Sequence, residues 1–246
     1  MLLAGAMSAA ALQPTDKGAT GYLYKWGDFY ADEFNYHLNQ GLKSGITLAT
    51  ELPVYAYGTD IFTLQDTINE GETAGYMFEG YTIVDSAHID TAVAWLHEGI
   101  KDCPNRLDLY LGLATCHLYC LEIERMMDVL EQIMKQEKKN KGKWRWTGEE
   151  KLEFGEDIVY DRIQEDYTRF VEAEMLDEAE QLARLAMKYY PQRSEYVNDL
   201  AGVYYYRNQY EEAMKLFKKA LKLSPKDELI QANIEILERA IHEQKQ

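Results

Sequence analysis

The residues of this sequence best suited to chemistry are two cysteines and a histidine in one short run. Cys116, His117 and Cys120 form a Cys-His-x-x-Cys pattern, and a helical spacing of four places both thiols on one face. Thiolate and imidazole groups at this spacing are ligands for a soft metal such as zinc. A closed site needs about four ligands, however, and Cys103 is the only other cysteine. We therefore interpret these residues as small core residues and expect no metal.

The five histidines do not form a catalytic motif. None begins a His-Glu-x-x-His run, and none is paired with a nucleophile in a recognisable pattern. Carboxylate pairs such as Asp161 with Glu165 occur without other features of a substrate site, so we interpret them as a solvated acidic face. The sequence therefore predicts a protein that is not an enzyme and needs no cofactor.

A basic segment with two interleaved tryptophans has the composition of a nucleic-acid contact. Its members are Lys135, Lys138, Lys139, Lys141, Lys143, Trp144, Arg145 and Trp146. The whole chain has 42 acidic and 26 basic side chains, and its formal charge of -16 opposes binding to phosphate backbones or anionic lipid. We expect no nucleic-acid partner and interpret the segment as a solvated helix end whose tryptophans dock on the fold. Contact with a partner through this segment is the alternative.

An interval of 34 residues organises the C-terminal half of the chain. Three pairs of residues are separated by it: Pro191 and Pro225, Ala179 and Ala213, and Ala186 and Ala220. The apolar and small residues after Ser194 have the spacing of two antiparallel helices joined by a short turn. In these features the sequence resembles the tetratricopeptide repeat (TPR) family. The resemblance implies an all-α fold, a right-handed α-solenoid of helix-turn-helix repeats that form a TPR-like superhelix.

The register of this interval predicts four repeats. Two lie at 160–193 and 194–227, and two more lie at 73–106 and 107–140, the last with large residues where small ones are usual. An insertion at 141–159, longer than the usual helix connection, separates the two pairs.

The ends of the chain are predicted from their composition. The apolar positions of 228–246 alternate with Glu and Gln, which predicts a capping helix. The aromatic-rich segment 13–72 predicts a helical N-terminal cap or a divergent repeat. Residues 1–12 are apolar and contain a run of alanines, as in the remnant of a signal peptide, although no Lys or Arg occurs before Lys17. We expect export to the periplasm or the medium, with an ordinary apolar N-terminus in a cytoplasmic protein as the alternative. No membrane span is predicted, because the apolar stretch is too short.

The resemblance also implies a binding surface. In the family, the first helix of each repeat lines a concave groove, and fixed positions of that helix reach a bound peptide. In this sequence these positions include Tyr81, Tyr119, Asp161, Glu165, Glu195, Asn198, Asp199, Tyr205 and Tyr206. The groove is therefore expected to be aromatic and acidic, and a partner segment with basic and apolar residues would complement it. Packing of Tyr205 and Tyr206 against neighbouring repeats is the alternative.

The resemblance implies an adaptor or scaffold that binds a protein or peptide partner. Two other classes of function are compatible with the sequence. One is an enzyme or enzyme subunit with a site formed by the N-terminal aromatic segment and the groove, and the other is a self-assembly module. A closed pocket with clustered titratable groups would favour the enzyme, whereas an open groove would favour the adaptor. The oligomeric state does not follow from the sequence.

Overall fold

The computed structural model describes residues 26–48, 57–68, 72–84, 86–140, 143–146 and 151–244. Within these ranges the chain forms nine helices and three strands. It divides into two units, Met1–Leu130 with Trp144–Lys151 and Glu131–Lys143 with Leu152–Gln246. In the same ranges, no helix has the length and the apolar character that are needed to cross a lipid bilayer. The signal-peptide remnant predicted at 1–12 lies outside the described residues.

Three helices of the first unit pack in a row: α1 (Trp26–Gly41), α2 (Ser86–Asp102) and α3 (Leu107–Tyr119). α1 packs against α2, and α2 packs against α3. The three helices approach closely at Gly99, where an added Cβ would lie 2.8 Å from Tyr30 and 3.0 Å from Leu109. α4 (Ile123–Asn140) follows α3, and its second half belongs to the second unit.

Three antiparallel strands occupy the segment between α1 and α2. They are β1 (Leu42–Leu48), β2 (Tyr57–Ile68) and β3 (Glu72–Val84), and the order in the sheet is β1-β3-β2. The pairing of β1 with β3 starts with Leu42 opposite Val84, and the pairing of β2 with β3 ends with Ile68 opposite Glu72.

This sheet corrects two of the helical predictions. The first helix predicted for the repeat at 73–106 is wrong, because β3 covers that segment, and Tyr81 therefore lies on a strand. The divergent repeat predicted as one alternative for 13–72 is wrong where β1 and β2 lie. Gly75 and Gly80 disfavour a helix in β3, and the aromatic and β-branched residues around them favour a strand. The helical class itself is confirmed by the pairwise packing of the helices before and after the sheet.

A buried arginine joins α1 to the start of α3. Arg106 is only 1% exposed. Its Nε and Nη2 donate to both carboxylate oxygens of Asp108 at 2.9 and 2.7 Å, and its Nη1 donates to Asp28 of α1 at 2.8 Å. Such a paired fork satisfies a charge that would otherwise be costly to bury, so the three residues form one structural cluster.

One tryptophan of the basic segment docks on the first unit. Trp144 is fully buried, and its ring lies edge-on to Tyr110 with the centroids 5.6 Å apart. The next residue, Arg145, donates its backbone N–H to Asn105 and accepts that of Leu107. The predicted docking is thus confirmed for Trp144.

The second unit contains five further helices in sequence order. They are α5 (Gly155–Glu172), α6 (Leu176–Tyr189), α7 (Ser194–Tyr206), α8 (Tyr210–Leu223) and α9 (Glu228–Glu243). Each packs against the next one along the chain. α5 begins at Gly155, within the predicted insertion. Glu156 and Asp157 in its first turn stabilise this start, because the N-terminal end of a helix dipole is positive.

The 34-residue interval is visible in the packing and in the turns. The alanines predicted at the helix contacts are all fully buried: Ala179, Ala186, Ala213 and Ala220. Glu174 and Asn208, 34 positions apart, end the turns after α5 and α7 with the same left-handed φ of 58°. Each pair of helices therefore closes in the same way.

The start of α9 is capped by the residue before it. One carboxylate oxygen of Asp227 accepts the backbone N–H groups of Leu229 and Ile230, both at 3.1 Å. Such a cap satisfies donors that a helix N-terminus leaves unpaired. α9 then packs through the fully buried Leu237 on Ala213 and Phe217 of α8.

Candidate functional site

A cleft of about 370 Å³ lies across α5, α7 and α9 of the second unit. α5 and α7 are the first helices of two successive helix pairs, and α9 follows the second pair in the equivalent position. The three helices therefore present equivalent faces to the cleft. The lining residues are Tyr167, Thr168, Val171, Glu172, Asn198, Asp199, Gly202, Tyr205, Tyr206, Phe217, Asn233 and Ile236.

The cleft brings together four of the nine predicted groove residues: Asn198, Asp199, Tyr205 and Tyr206. Two more, Asp161 and Glu165, line a shallower depression beside it on α5. Thr168 belongs to both surfaces, which makes the depression an extension of the cleft along α5.

The remaining three predicted residues lie elsewhere. Glu195, in the first turn of α7, approaches Arg193 at 3.9 Å and does not line the cleft. Tyr119 is the last residue of α3 in the first unit. Tyr81 lies in β3 of the same unit, and its side chain is outside the described part of the structure.

The contribution of α9 to the cleft was not predicted from the sequence, in which this segment indicated only a capping helix. Asn233 and Ile236 line the cleft and lie 34 residues after Asp199 and Gly202, so the repeat interval itself could have identified them. α9 therefore occupies the position of a first helix of a repeat. Val171 was missed as well, although it occupies a groove position of α5.

Two adjacent tyrosines form the aromatic wall of the cleft. The rings of Tyr205 and Tyr206 are nearly perpendicular, with centroids 5.7 Å apart. Tyr205 also stacks on Tyr210 and packs on the core around Phe217, so this ring is held in place. Tyr206 is 55% exposed, and Ile236 of α9 is 41% exposed. The wall thus combines a fixed ring with apolar surface that a partner could cover.

The floor of the cleft is a row of side-chain hydrogen bonds between successive helices. Gln164 Nε2 of α5 donates to Asp199 Oδ2 of α7 at 2.8 Å. Asn233 Nδ2 of α9 donates to Asn198 Oδ1 of α7 at 2.9 Å. Both bonds join residues 35 positions apart, so the same contact recurs at each junction.

Asp199 is the carboxyl group of the cleft whose pKa is shifted. Its side chain is buried, and this burial raises the pKa of the carboxyl from 3.8 to about 7. The hydrogen bonds from Gln164 and Asn198 oppose the rise, and the negative charge of Glu195 adds to it. The cleft therefore contains an acid that changes its charge near neutral pH.

Tyr167 fixes the distance between α5 and α7 beside this acid. Its hydroxyl donates to the backbone carbonyl of Asp199 at 2.7 Å. An added Cβ on Gly202 would lie 2.9 Å from the same hydroxyl oxygen, so a larger residue would displace Tyr167. Burial raises the pKa of Tyr167, which keeps the hydroxyl neutral and able to donate.

The charge of the cleft is negative. Glu172 and Asp199 are its ionisable acids, and the described lining residues include no Lys or Arg. In the adjoining depression Arg169 is the one described base, and it pairs with Asp166 at 2.8 Å and with Glu165 at 3.5 Å. The uncompensated charge favours a ligand that carries a cation.

Cys116 and His117 of α3 are buried, and Cys120, directly after the helix, is half-buried. Burial raises the pKa of the Cys116 thiol to about 12 and also raises that of Cys120, so both thiols are protonated at neutral pH. His117 is buried, and its Nδ1 lies 2.7 Å from a carboxylate oxygen of Glu122. No group of three or more potential metal ligands occurs among the described residues.

Comparison with known proteins identifies one repeat directly. The tetratricopeptide repeat family matches residues 194–227, the residues of the predicted fourth repeat. Among curated proteins, no sequence matches this chain.

Several solved structures are similar to parts of the chain. MamA is 10% identical with a TM-score of 0.38, and the match covers 64% of this chain and 81% of MamA. PilF of Pseudomonas aeruginosa is 17% identical with a TM-score of 0.37, and the match covers 64% of each chain. MamA of Desulfovibrio magneticus RS-1 is 12% identical with a TM-score of 0.37, and the match covers 65% of this chain and 80% of that one.

Proposed function

We propose that this chain, a tetratricopeptide repeat protein with its clearest repeat at 194–227, is a non-catalytic adaptor that binds a protein or peptide partner in the cleft across α5, α7 and α9. The observation that supports the proposal most is the composition of the cleft. It joins exposed apolar surface on Tyr206 and Ile236 to unpaired acidic charge on Glu172, along three successive helices. Such a surface suits an extended or helical segment rather than a small molecule.

The partner segment has basic and apolar residues. A Lys or Arg side chain would place its charge near Glu172 and Asp199 and its aliphatic stem along the tyrosine wall. A neighbouring apolar residue would cover Ile236 and Val171. The exposed acids Asp161 and Glu165 on α5 would extend the attraction along the segment and act mainly on the association rate.

The enzyme alternative has less support in the cleft. A catalytic site needs a nucleophile and a base, or an acid and a base, placed around one reacting atom. The one perturbed carboxyl, Asp199, is engaged by Gln164 and Asn198, and the cleft is open rather than closed. The N-terminal part of that alternative, before residue 26, lies outside the described residues.

The proposal is tested by selecting binders from a random peptide display library and measuring their affinity by fluorescence polarisation. We expect the selected peptides to combine Lys or Arg with apolar residues. The double variant Tyr205→Ala/Tyr206→Ala should weaken binding about tenfold or more at every salt concentration, because it removes buried apolar contact. Glu165→Gln/Glu172→Gln should weaken binding more at low salt than at high salt, since exposed charges are screened over about 10 Å at 0.1 M.

Matched controls separate the cleft from the rest of the surface. Phe154→Ala removes an exposed aromatic ring outside the cleft, and Glu212→Gln removes an exposed acid on α8. Both should bind as the parent does. If the tyrosine and the acidic double variants also bind every selected peptide as the parent does, the cleft is not the binding surface and the proposal fails.

A further inference from the structure

A row of lysines covers the exposed face of α8, away from the residues that line the cleft. Lys215, Lys218, Lys219 and Lys222 are all exposed, and their spacing of three, four and seven residues places them on one helical face. We name these four residues the lysine face. In the part of the chain that the structure describes, none of the four forms an ion pair or a side-chain hydrogen bond. Glu211 and Glu212 precede the lysine face in the first turn of the helix.

In the preceding repeat, acidic side chains pair with the bases at two of the same positions. Arg184 and Lys188 of α6 lie 34 residues before Lys218 and Lys222. Arg184 pairs with Glu180 at 2.7 Å, one turn earlier on the same helix. Lys188 pairs at 2.8 Å with Glu131, on the second half of α4. Both cations of α6 are thus compensated.

The two acids that compensate α6 have no counterparts for α8. The residue 34 positions after Glu180 is Met214, so Lys218 has no acid one turn earlier. Glu131 and Arg184 occupy the same position in two successive repeats, those that start at 107 and at 160. Lys188 pairs with the acid at this position of the repeat before its own. For Lys222, the residue at this position of the preceding repeat is the base Arg184. The positive charges of Lys218 and Lys222 therefore lack the acids that pair with the equivalent residues of α6.

We propose that the lysine face of α8 is a second docking surface and that it binds an acidic segment of a partner protein. Four lysines within two helical turns match carboxylates spaced three or four residues apart on a partner helix. Leu223, which is 36% exposed beside Lys219 and Lys222, offers apolar contact at the end of the row. The second unit would then present an acidic cleft and a basic face, and it would hold two partners of opposite charge at once.

The overall charge decides between an acidic segment and the other polyanions. A membrane surface or a long nucleic acid extends beyond the four lysines and meets the field of a chain with a net charge of -16. A short acidic segment lies within a Debye length of the lysine face and is attracted by it alone. The lysine face also has no aromatic residue on which bases could stack, which is the usual feature of single-strand binding.

The test uses the full-length protein and a labelled synthetic helical peptide with glutamates at every third and fourth position. A peptide with glutamines at the same positions is the ligand control. We expect the glutamate peptide to bind and Lys218→Gln/Lys219→Gln/Lys222→Gln to weaken its affinity about tenfold, as the sum of three exposed ion pairs. The matched variant Lys138→Gln/Lys139→Gln/Lys143→Gln removes the same charge from exposed lysines elsewhere and should bind within about twofold of the parent.

Charge reversal keeps the test informative if neutralisation alone has a small effect. Lys218→Glu/Lys219→Glu/Lys222→Glu should lose the glutamate peptide and gain binding to the same peptide with lysines in place of the glutamates. Equal loss in the matched variant, or no binding by the parent, overturns the proposal. Tighter binding by the parent to phosphatidylserine vesicles or to single-stranded DNA than to the peptide overturns the choice of an acidic protein segment. The tyrosine variants of the cleft should leave peptide binding to the lysine face unchanged, so failure here is distinct from failure of the proposed function.

Discussion

The side chain of Gln164 on α5 donates a 2.8 Å hydrogen bond to the buried carboxylate of Asp199 on α7. This bond joins the first helices of two successive repeats at the floor of the cleft. Asn233 and Asn198 repeat the contact between α9 and α7. The polar groups that line the cleft floor are therefore also the groups that hold the repeats in register, so a change in one of them affects both stability and the shape of the cleft.

We expect Asp199→Asn to stabilise the protein at alkaline pH. The folded state raises the pKa of Asp199 to about 7, so the folded protein binds a proton more readily than the unfolded chain does. The free energy of unfolding of the parent should therefore fall as the pH rises from about 4 to about 7. At pH 8 the variant should be more stable by about 2 kcal/mol, because asparagine accepts the Gln164 hydrogen bond without a buried charge. Urea unfolding of both proteins at pH 5 and pH 8 measures this, and an equal difference at both pH values would contradict it.

The affinity of the cleft for a cationic peptide should depend on the same carboxyl. A bound Lys or Arg favours the ionised form of Asp199, so binding should weaken as the pH falls below about 7, by up to about tenfold per pH unit. Glu195 is the charged neighbour of this carboxyl on α7, while α5 faces it with Gln164 and the neutral hydroxyl of Tyr167. In Asp199→Asn the dependence should disappear between pH 6 and pH 8. A pH profile that persists in this variant would assign the titration to another group.

Glu131→Gln should destabilise the contact between α4 and α6. The carboxylate accepts hydrogen bonds from Lys188 and Tyr189, which lower the pKa of Glu131 from 4.5 to about 2. Because the folded state favours the ionised form, its contribution is complete above about pH 5 and is lost as the pH falls toward 2. The variant should show a lower unfolding temperature than the parent at pH 7, and the difference should shrink at pH 3. Thermal unfolding followed by circular dichroism checks both expectations.

Ala213→Trp should overpack the contact between α8 and its neighbours. Ala213 is fully buried against Ala201, Phe217 and Leu237, which leaves no room for an indole ring. The expected loss in the free energy of unfolding is about 1–3 kcal/mol or more. Gln181→Trp, at an exposed position of α6, is the control and should change stability little. Similar unfolding midpoints for the two variants would show that Ala213 is not closely packed between α8 and its neighbouring helices.

Glu174→Gly should stabilise the turn between α5 and α6. Glu174 has a left-handed φ of 58°, which costs a residue with a Cβ about 1 kcal/mol and costs glycine nothing. We expect a gain of roughly 0.5–1 kcal/mol, measured by urea unfolding. Gln181→Gly, in the interior of α6, should instead lose about 1 kcal/mol. A loss in both variants would mean that the Glu174 side chain contributes more than its backbone strain costs.

The repeat architecture of the second unit could be predicted from the sequence alone. The 34-residue spacing of Ala179 with Ala213 and of Ala186 with Ala220 requires a periodic helix packing, and all four side chains are buried. The same interval places Asp199 and Asn233 at equivalent positions, although the sequence analysis assigned only the first to the groove. Periodic contacts are local in sequence, so a pattern of residue sizes is enough to specify them.

The sheet and the electrostatics of the site depended on the tertiary structure. Residues 72–84 form β3 because β1 and β2 pair with them on both sides, and strand propensity is set by such neighbours more than by the residues themselves. Asp199 has a raised pKa because α5 and α7 pack over its side chain, and Lys188 is neutralised because α4 brings Glu131 to it. Gln164 lies 35 positions from Asp199, and Glu131 lies 57 positions from Lys188. Only the packing of the helices therefore decides which of these charges are buried, paired or left exposed.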